Sequence, residues 1–309
     1  MFEYCAIAKS ADEVKKYSKD RSLLFSLSVL IARVSPRGKT SLPHYLGRWL
    51  GAGSRFAVRT PHDAYLAVNT SSLELYTSMR LNGWDEDVLA ACIDLMQKGS
   101  TFYDIGANAG YMSVCMAAHF SGEIKVVAIE PQPKMAQAAC RSMLINGFTE
   151  FDIFPILLGD SEREEKLYVT WHAVHASLRP RSSSNKTVLS IPMTTLDALI
   201  KSKKLPAPDV IKIDVEGAEL KAFQGGRNTL ITHQPAIIFE TDTNADRFGY
   251  TRKQLLDFLR ECGYDRFYFI TNVGQYERMG ASDNSRCRDM IALTERRITP
   301  IFSSKIQNA

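Results

Sequence analysis

The stretch Phe102-Tyr103-Asp104-Ile105-Gly106-Ala107-Asn108-Ala109-Gly110 decides how this chain is read. It follows the short apolar run Thr101–Ile105, which predicts a strand, and it opens the helical pattern Ala109–His119. Gly106 lets the chain turn sharply and lets backbone approach a ligand with no Cβ in the way. Gly110 lets the helix start tight against the strand. In an open α/β sheet such a turn brings a ligand to the C-terminal end of the strand. The next apolar run, Lys125–Glu130, ends in an acid 24 residues beyond Gly106, where a carboxylate can accept hydrogen bonds from both hydroxyls of a ribose. Strand, glycine turn, helix, strand and acid in this order predict a nucleoside-type cofactor site. The alternative is a glycine turn that serves packing alone, with Glu130 on the surface.

Working outward, the same alternation continues. Helical patterns are expected over Pro133–Asn146, Ala218–Leu230 and Arg252–Cys262, and strands over Phe151–Leu158, Pro208–Asp214 and Pro235–Glu240. Phe267–Thr271 and Met290–Thr294 read as two last strands joined without a helix, an antiparallel hairpin at one edge of the sheet. Strands alternating with helices imply crossovers and a parallel sheet, and continuous Val/Ile/Leu runs imply strands buried on both faces. The fold class expected is α/β, a doubly wound, Rossmann-like, seven-stranded mostly parallel sheet with an antiparallel last strand. Upstream, Asp85–Gln97 reads as a helix. Residues 1–34 read as helical, residues 35–54 as loop, and Phe56–Arg59 with Ala64–Val68 as a hairpin turning at Pro61-His62-Asp63. The expected division is a helical and hairpin extension at 1–82, covering substrate or forming a dimer, and a catalytic domain at 83–309. Lys166–Trp171 and Thr187–Met193 read as extra strands around a polar, serine-rich loop at 172–186.

The loop also discriminates between nucleosides. A dinucleotide site wants G-x-G-x-x-G ahead of a bare helix N-terminus. Here Asn108 stands where the second glycine of that pattern belongs, and Asp104 precedes the turn. A carboxylate at that place would repel a pyrophosphate and suits the ammonium group of a methionine moiety. The charge pattern favours S-adenosyl-L-methionine over NAD.

The motifs Asp104-Ile-Gly-Ala-Asn-Ala-Gly110, Ala128-Ile-Glu-Pro131, Thr195-Leu-Asp197, Ile211-Lys-Ile-Asp-Val-Glu-Gly-Ala-Glu219 and Pro235-Ala-Ile-Ile-Phe-Glu240 resemble the FkbM family of methyltransferases. Gly83-Trp84 with Glu86 looks like that family's entry helix, so the likeness covers about residues 83–295 and leaves out residues 1–80. The resemblance implies a class I methyltransferase fold and methyl transfer to a hydroxyl of a saccharide or a polyketide or other secondary metabolite. It implies that Asp104, Gly106, Asn108 and Gly110 form the methionine side of the pocket, that Glu130 holds the ribose, and that Asp160 sits where the adenine amine is bound.

Asp214, Glu216 and Glu219 follow the strand Val210–Ile213. Asp214 at the sheet's C-terminal edge is the first candidate for positioning the acceptor or taking its proton. Glu216 is a second candidate, and helix capping is the other reading of both glutamates. Lys212 within the strand is placed to pair with one of them. His172 and His175 in the loop are alternative bases. No His/Cys/Asp cluster has metal spacing, so no metal is expected, although Asp214, Glu240 and Asp242 together form a conceivable divalent site. Two further readings stay open: methyl transfer to a nitrogen or carboxylate of a small molecule or peptide, and a non-catalytic nucleoside-binding module. The chain lacks the N-P-P-Y type motif usual for exocyclic amines.

Composition sets the remaining bounds. The chain has 309 residues, 38 Lys and Arg, 34 Asp and Glu, and a net charge of +4, too mild to argue for nucleic acid. Residues 1–80 carry twelve basic and six acidic residues, a weakly basic region read as a solvated face. The run Leu23–Val34 is shorter than the roughly 20 residues a bilayer span needs, so no stable membrane insertion is expected. It suits a buried helix or a homodimer contact. Six cysteines without C-x-x-C spacing read as reduced thiols, and a cytoplasmic location is expected. The expected partner is a small-molecule or glycan acceptor.

Overall fold

The computed structural model describes residues 7, 26, 30, 55–69, 85–170, 176–178, 186–241, 248–280 and 288–307. Of the stretch expected to be helical at 1–34, Ile7, Ser26 and Leu30 are described; Ser26 and Leu30 are helical, whereas Ile7 is not, and its N–H donates to the Ile153 carbonyl at 2.8 Å. His172, His175 and Asp242 lie outside the described residues.

The core is a nine-stranded sheet. Five parallel strands form its body: β3 (Thr101–Ile105), β4 (Lys125–Ile129), β5 (Phe151–Phe154), β10 (Val210–Ile213) and β11 (Ala236–Glu240). Their spatial order is β5-β4-β3-β10-β11, so the winding reverses between β3 and β10. That reversal is the switch point at which open α/β sheets bind ligands. The far edge carries β14 (Asp289–Leu293), β12 (Arg266–Asn272), β13 (Gln275–Arg278) and β15 (Ile306–Gln307) in that order. The last two expected strands do pair antiparallel, but not as an edge hairpin. β14 is inserted between β11 and β12, and the hairpin partner of β12 is β13. The short turn at Val273-Gly274, with Gly274 at φ +63°, makes that second hairpin.

Alternate residues of each strand serve opposite layers. Phe102, Val126, Ala128, Val210 and Ile238 pack beneath α1 (Glu86–Asp94), α2 (Tyr111–His119) and α3 (Pro133–Ile145). Tyr103, Val127, Ile129, Ile211 and Phe239 pack against the other layer, which includes α4 (Leu196–Lys203), α5 (Glu219–Gly225), α6 (Arg227–His233) and α7 (Arg252–Glu261). Asp104 and Lys212 fall on the first face, where the alternation would otherwise place apolar side chains.

Two segments expected to be continuous are divided, each for a visible reason. The run Phe151–Leu158 breaks at Pro155, which has no N–H to give a ladder. Its second part, β6 (Leu157–Leu158), joins a separate four-stranded sheet ordered β6-β9-β7-β8, with β7 Arg163–Thr170, β8 Ala176–Ser177 and β9 Lys186–Thr194. The helix expected over Ala218–Leu230 divides into α5 and α6 at Gly225 and Gly226. A Cβ on Gly225 would come 1.9 Å from the Gly159 carbonyl oxygen, so this close approach excludes a side chain.

The hairpin of β1 (Arg55–Arg59) and β2 (Tyr65–Asn69) packs on α3, with Leu66 and Val68 fully buried. The Tyr65 N–H donates to Asn146 Oδ1 at 2.8 Å while Asn146 Nδ2 donates to the Tyr65 carbonyl at 2.7 Å. Past β14, α8 (Pro300–Ser303) and β15 return to the first helix. Lys305 Nζ lies 2.7 and 2.8 Å from the two oxygens of buried Asp94, and Tyr276 OH donates to the same carboxylate at 2.6 Å.

Candidate active site

Where the winding reverses, the loop 106–110 leaves β3 and lies against the loop after β10. A Cβ on Gly106 (φ +82°) would come 1.9 Å from the Asp214 carbonyl oxygen, and one on Gly110 (φ +84°) would come 2.8 Å from Ala139 Cβ. Both glycines therefore answer to close approach as well as to left-handed backbone. Asn108 is also left-handed (φ 50°), and asparagine tolerates that region better than most residues. The amides of Gly106 and Ala107 donate to the Ile129 carbonyl at 2.9 and 3.1 Å, which ties the loop to the end of β4.

Glu130, 4% exposed, receives the N–H of Asn108 on Oε2 at 2.8 Å and that of Gln132 on Oε1 at 2.9 Å. Burial pushes its carboxyl up to about 7, with the two amides pulling the other way. Each oxygen keeps a lone pair for another donor. Ala107, Asn108, Glu130, Gln132, Asp214 and Glu216 line a cleft of about 240 Å³ together with Ile156, Leu157 and Leu158. Leu167 of the small sheet and Leu178, just past β8, line its apolar end.

Asp104 lies beneath this cleft, not in its wall. It is 0% exposed, and its Oδ2 accepts from the Ser113 N–H at 3.1 Å and the Ser113 hydroxyl at 2.6 Å. Opposite it in register on β10 stands Lys212, whose Nζ is 3.8 Å from Asp104 Oδ1 and 3.7 Å from Asp214 Oδ2. Lys212 thus pairs with these two aspartates and with neither Glu216 nor Glu219. Burial works against its charge, but Asp214, Asp104 and Asp85 outweigh burial and raise its pKa. Burial pushes the Asp104 carboxyl upward, opposed by Lys212 and Ser113.

Glu219 is an organising residue. Its Oε1 accepts from the N–H groups of Val215 and Gly217 at 3.0 and 3.2 Å, and its Oε2 accepts from Tyr250 OH at 3.0 Å. This arrangement fixes the loop that carries Asp214 and Glu216, with Glu216 at φ 56°. Asp160 is not in the wall of the cleft. It pairs with Arg163 at 2.8 Å and with Lys221 at 3.7 Å.

A second, polar cleft adjoins the first and shares Asp85, Lys212 and Asp214 with it. Glu240, Arg288 and Asp289 complete its polar lining, and Arg288 lies 3.3 Å from Glu240. Burial, then the nearby Asp87, raises Asp289 to about 6. Asp85, Arg288 and Asp289 carry no motif in the sequence, and only the insertion of β14 beside β11 brings 288 and 289 here. Near the first cleft, Glu86 joins two elements. It receives Tyr111 OH at 2.6 Å and faces His62 Nε2 of the hairpin turn at 2.7 Å. Among the described residues no group of three His, Cys, Asp or Glu is arranged to hold a metal ion, and no helix is long and apolar enough to cross a membrane.

The residues fit S-adenosylmethionine: a buried acid for the ribose, an apolar end for a base, and a close-approach glycine loop between them. The chain is similar to the hexuronic acid methyltransferase AglP of Haloferax volcanii, 24% identical over 158 residues that make up 51% of this chain and 62% of that protein. It thus matches less than two thirds of that relative's length. Among solved structures, methyltransferase FkbM from Methylobacillus flagellatus is 16% identical with a TM-score of 0.45, covering 73% of this chain and 53% of that one. An S-adenosylmethionine-dependent O-methyltransferase from Thermotoga maritima is 14% identical with a TM-score of 0.38, covering 77% of each. The profile of the methyltransferase FkbM domain matches residues 104–266, just over half of the chain and the span that holds the glycine loop, Glu130 and the acids after β10. With S-adenosylmethionine as its cofactor, the chain belongs to the FkbM family of methyltransferases.

Proposed function

We propose that this protein is an O-methyltransferase whose acceptor is a hydroxyl of a saccharide or of a polyketide-type metabolite. The observation that carries this reading is the placement of Asp214. Its carboxylate lies at the junction of the cofactor cleft and the polar second cleft, and it is 45% exposed beside the Lys212 ammonium. A carboxylate so placed can orient a hydroxyl and take its proton, while positioning supplies much of the remaining rate. Carboxylates and cations alternating around the second cleft suit a polyhydroxylated acceptor, which offers donors and acceptors on every face. The name of the Haloferax volcanii relative points to the same substrate class. In this proposal Gly106, Asn108 and Gly110 shape the methionine side and Glu130 binds the ribose. Asp104 acts from beneath through Lys212.

A carboxylate acceptor is the second reading. Arg288 and Lys212 in the second cleft favour it, because both can pair with an anion. One experiment separates the two. The protein is incubated with methyl-labelled S-adenosylmethionine and either glucuronic acid, galacturonic acid or glucose, and the product is treated with mild base. A base-stable labelled sugar supports the hydroxyl reading. A base-labile product from the uronic acids alone replaces it with ester formation.

A further inference from the structure

We infer that Lys212 is a catalytic residue of this site, its ammonium donating to the acceptor's oxygen at the point where the two clefts meet. The inference rests on the oxygen-acceptor reading above. Four observations lead to it. Lys212 stands in β10, one of the two strands that flank the switch point, in register with Asp104. Its side chain is 12% exposed, yet it lines both clefts. Its nearest carboxylate oxygens are 3.7 and 3.8 Å away, beyond the roughly 2.7–2.9 Å of an ammonium–carboxylate hydrogen bond. These two carboxylates are therefore its counter-charges, and neither takes up its protons in a hydrogen bond. Asp104 Oδ1, buried and without a hydrogen-bond partner, completes the set.

A buried cation with three donors, flanked by two carboxylates at long range, is arranged for an oxygen to enter among them. An acceptor oxygen there receives a hydrogen bond from Lys212 and gives its proton to Asp214. S-adenosylmethionine supplies the methyl group: the O–CH3 bond forms as the S–CH3 bond breaks, the electron pair stays on sulfur, and the hydroxyl proton ends on Asp214. Lys212 keeps its proton throughout and favours the developing negative charge on oxygen. Asp104 is a positioning residue that fixes the Lys212 side chain from below.

The position of the ammonium can be read without any acceptor. S-adenosylmethionine carries a sulfonium charge that S-adenosylhomocysteine lacks, so a cation at the reaction centre weakens binding of the first relative to the second. Calorimetric titration of both ligands into wild type, Lys212→Met and Lys212→Arg is the experiment, with Lys212→Gln as substitute if the methionine variant does not fold. Lys212→Met should bind S-adenosylhomocysteine within about threefold of wild type and shift the ratio of the two affinities about tenfold towards S-adenosylmethionine, while Lys212→Arg keeps the wild-type ratio. An unchanged ratio in Lys212→Met, or loss of both ligands together, overturns the inference and leaves the cofactor assignment standing. Wild type binding neither ligand removes the cofactor assignment itself, and the inference with it. On any sugar that wild type methylates, Lys212→Met should lower kcat at least tenfold without raising KM for S-adenosylmethionine; an unmoved kcat also overturns it.

Discussion

Glu130 accepts the backbone N–H of Asn108 at 2.8 Å, so the acid at the end of β4 holds in shape the loop that leaves β3. Glu130→Ala removes the proposed ribose acceptor and two backbone bonds at once. At about 1.5–3 kcal/mol for a hydrogen bond to a charged group, affinity for S-adenosylhomocysteine should fall at least tenfold by calorimetry. Unchanged affinity would exclude Glu130 from the cofactor site.

The same residue makes binding and stability depend on pH. Its carboxyl rises from an ordinary 4.5 to about 7 on folding. The folded chain then binds the extra proton between those values, so the stability Glu130 contributes is full below about 4.5 and is lost as pH rises through about 7. Glu130→Gln should flatten this slope in denaturant titrations. In the proposed contact, ribose hydroxyls donate to the ionised form, so cofactor binding at pH of about 6 should release up to about one proton, and at pH of about 8.5 almost none. Calorimetry in buffers of different ionisation enthalpy measures this directly.

At Gly106 both space and backbone forbid a side chain. Gly106→Ala places its Cβ against the Asp214 carbonyl at φ +82°. A loss of about 3 kcal/mol or more is expected, together with loss of cofactor binding. A thermal shift within a degree or two of wild type would contradict the packing described.

Much of this was legible in the sequence. Glycine positions and apolar runs carry local geometry, and from them the five parallel strands, the loop at 106–110 and Glu130 could be placed. Lys212 was legible as a residue but not as a partner. Sequence proximity pointed to Glu216 and Glu219, whereas its partner Asp104 lies across a parallel ladder whose register only folding sets. A family likeness assigns Asp160 to the cofactor site, whereas in the fold it pairs with Arg163 and Lys221 and does not line the cleft. The second cleft depends on 288 and 289 arriving beside β11 through a strand inserted out of order, which no local pattern records.

The hairpin should respond to Asn146. Asn146→Ala removes the clasp on both backbone groups of Tyr65, at a cost of about 1–3 kcal/mol. Limited proteolysis should then cut between residues 55 and 69 sooner than in wild type. Equal protection would mean that apolar packing of Leu66 and Val68 alone holds the hairpin.

Asp94 is held from the far end of the described chain. Lys305→Met leaves a buried carboxylate with, among the described residues, Tyr276 OH alone donating to it, and should cost about 2 kcal/mol or more. Adding Asp94→Asn to it should recover part of that loss, measured as a double-mutant cycle.

The place of β14 has a consequence for synthesis. β11 finds its outer neighbour only in residues 289–293, and β12, made earlier, has no seat in the sheet until that strand is inserted. A nascent chain that has emerged only as far as β12 therefore presents the open edge of β11, an apolar strand whose ladder groups await a partner. The ribosome must deliver some fifty residues beyond β11 before that edge can close, so stalling within this interval is when the chain is most exposed to aggregation and most in need of a chaperone.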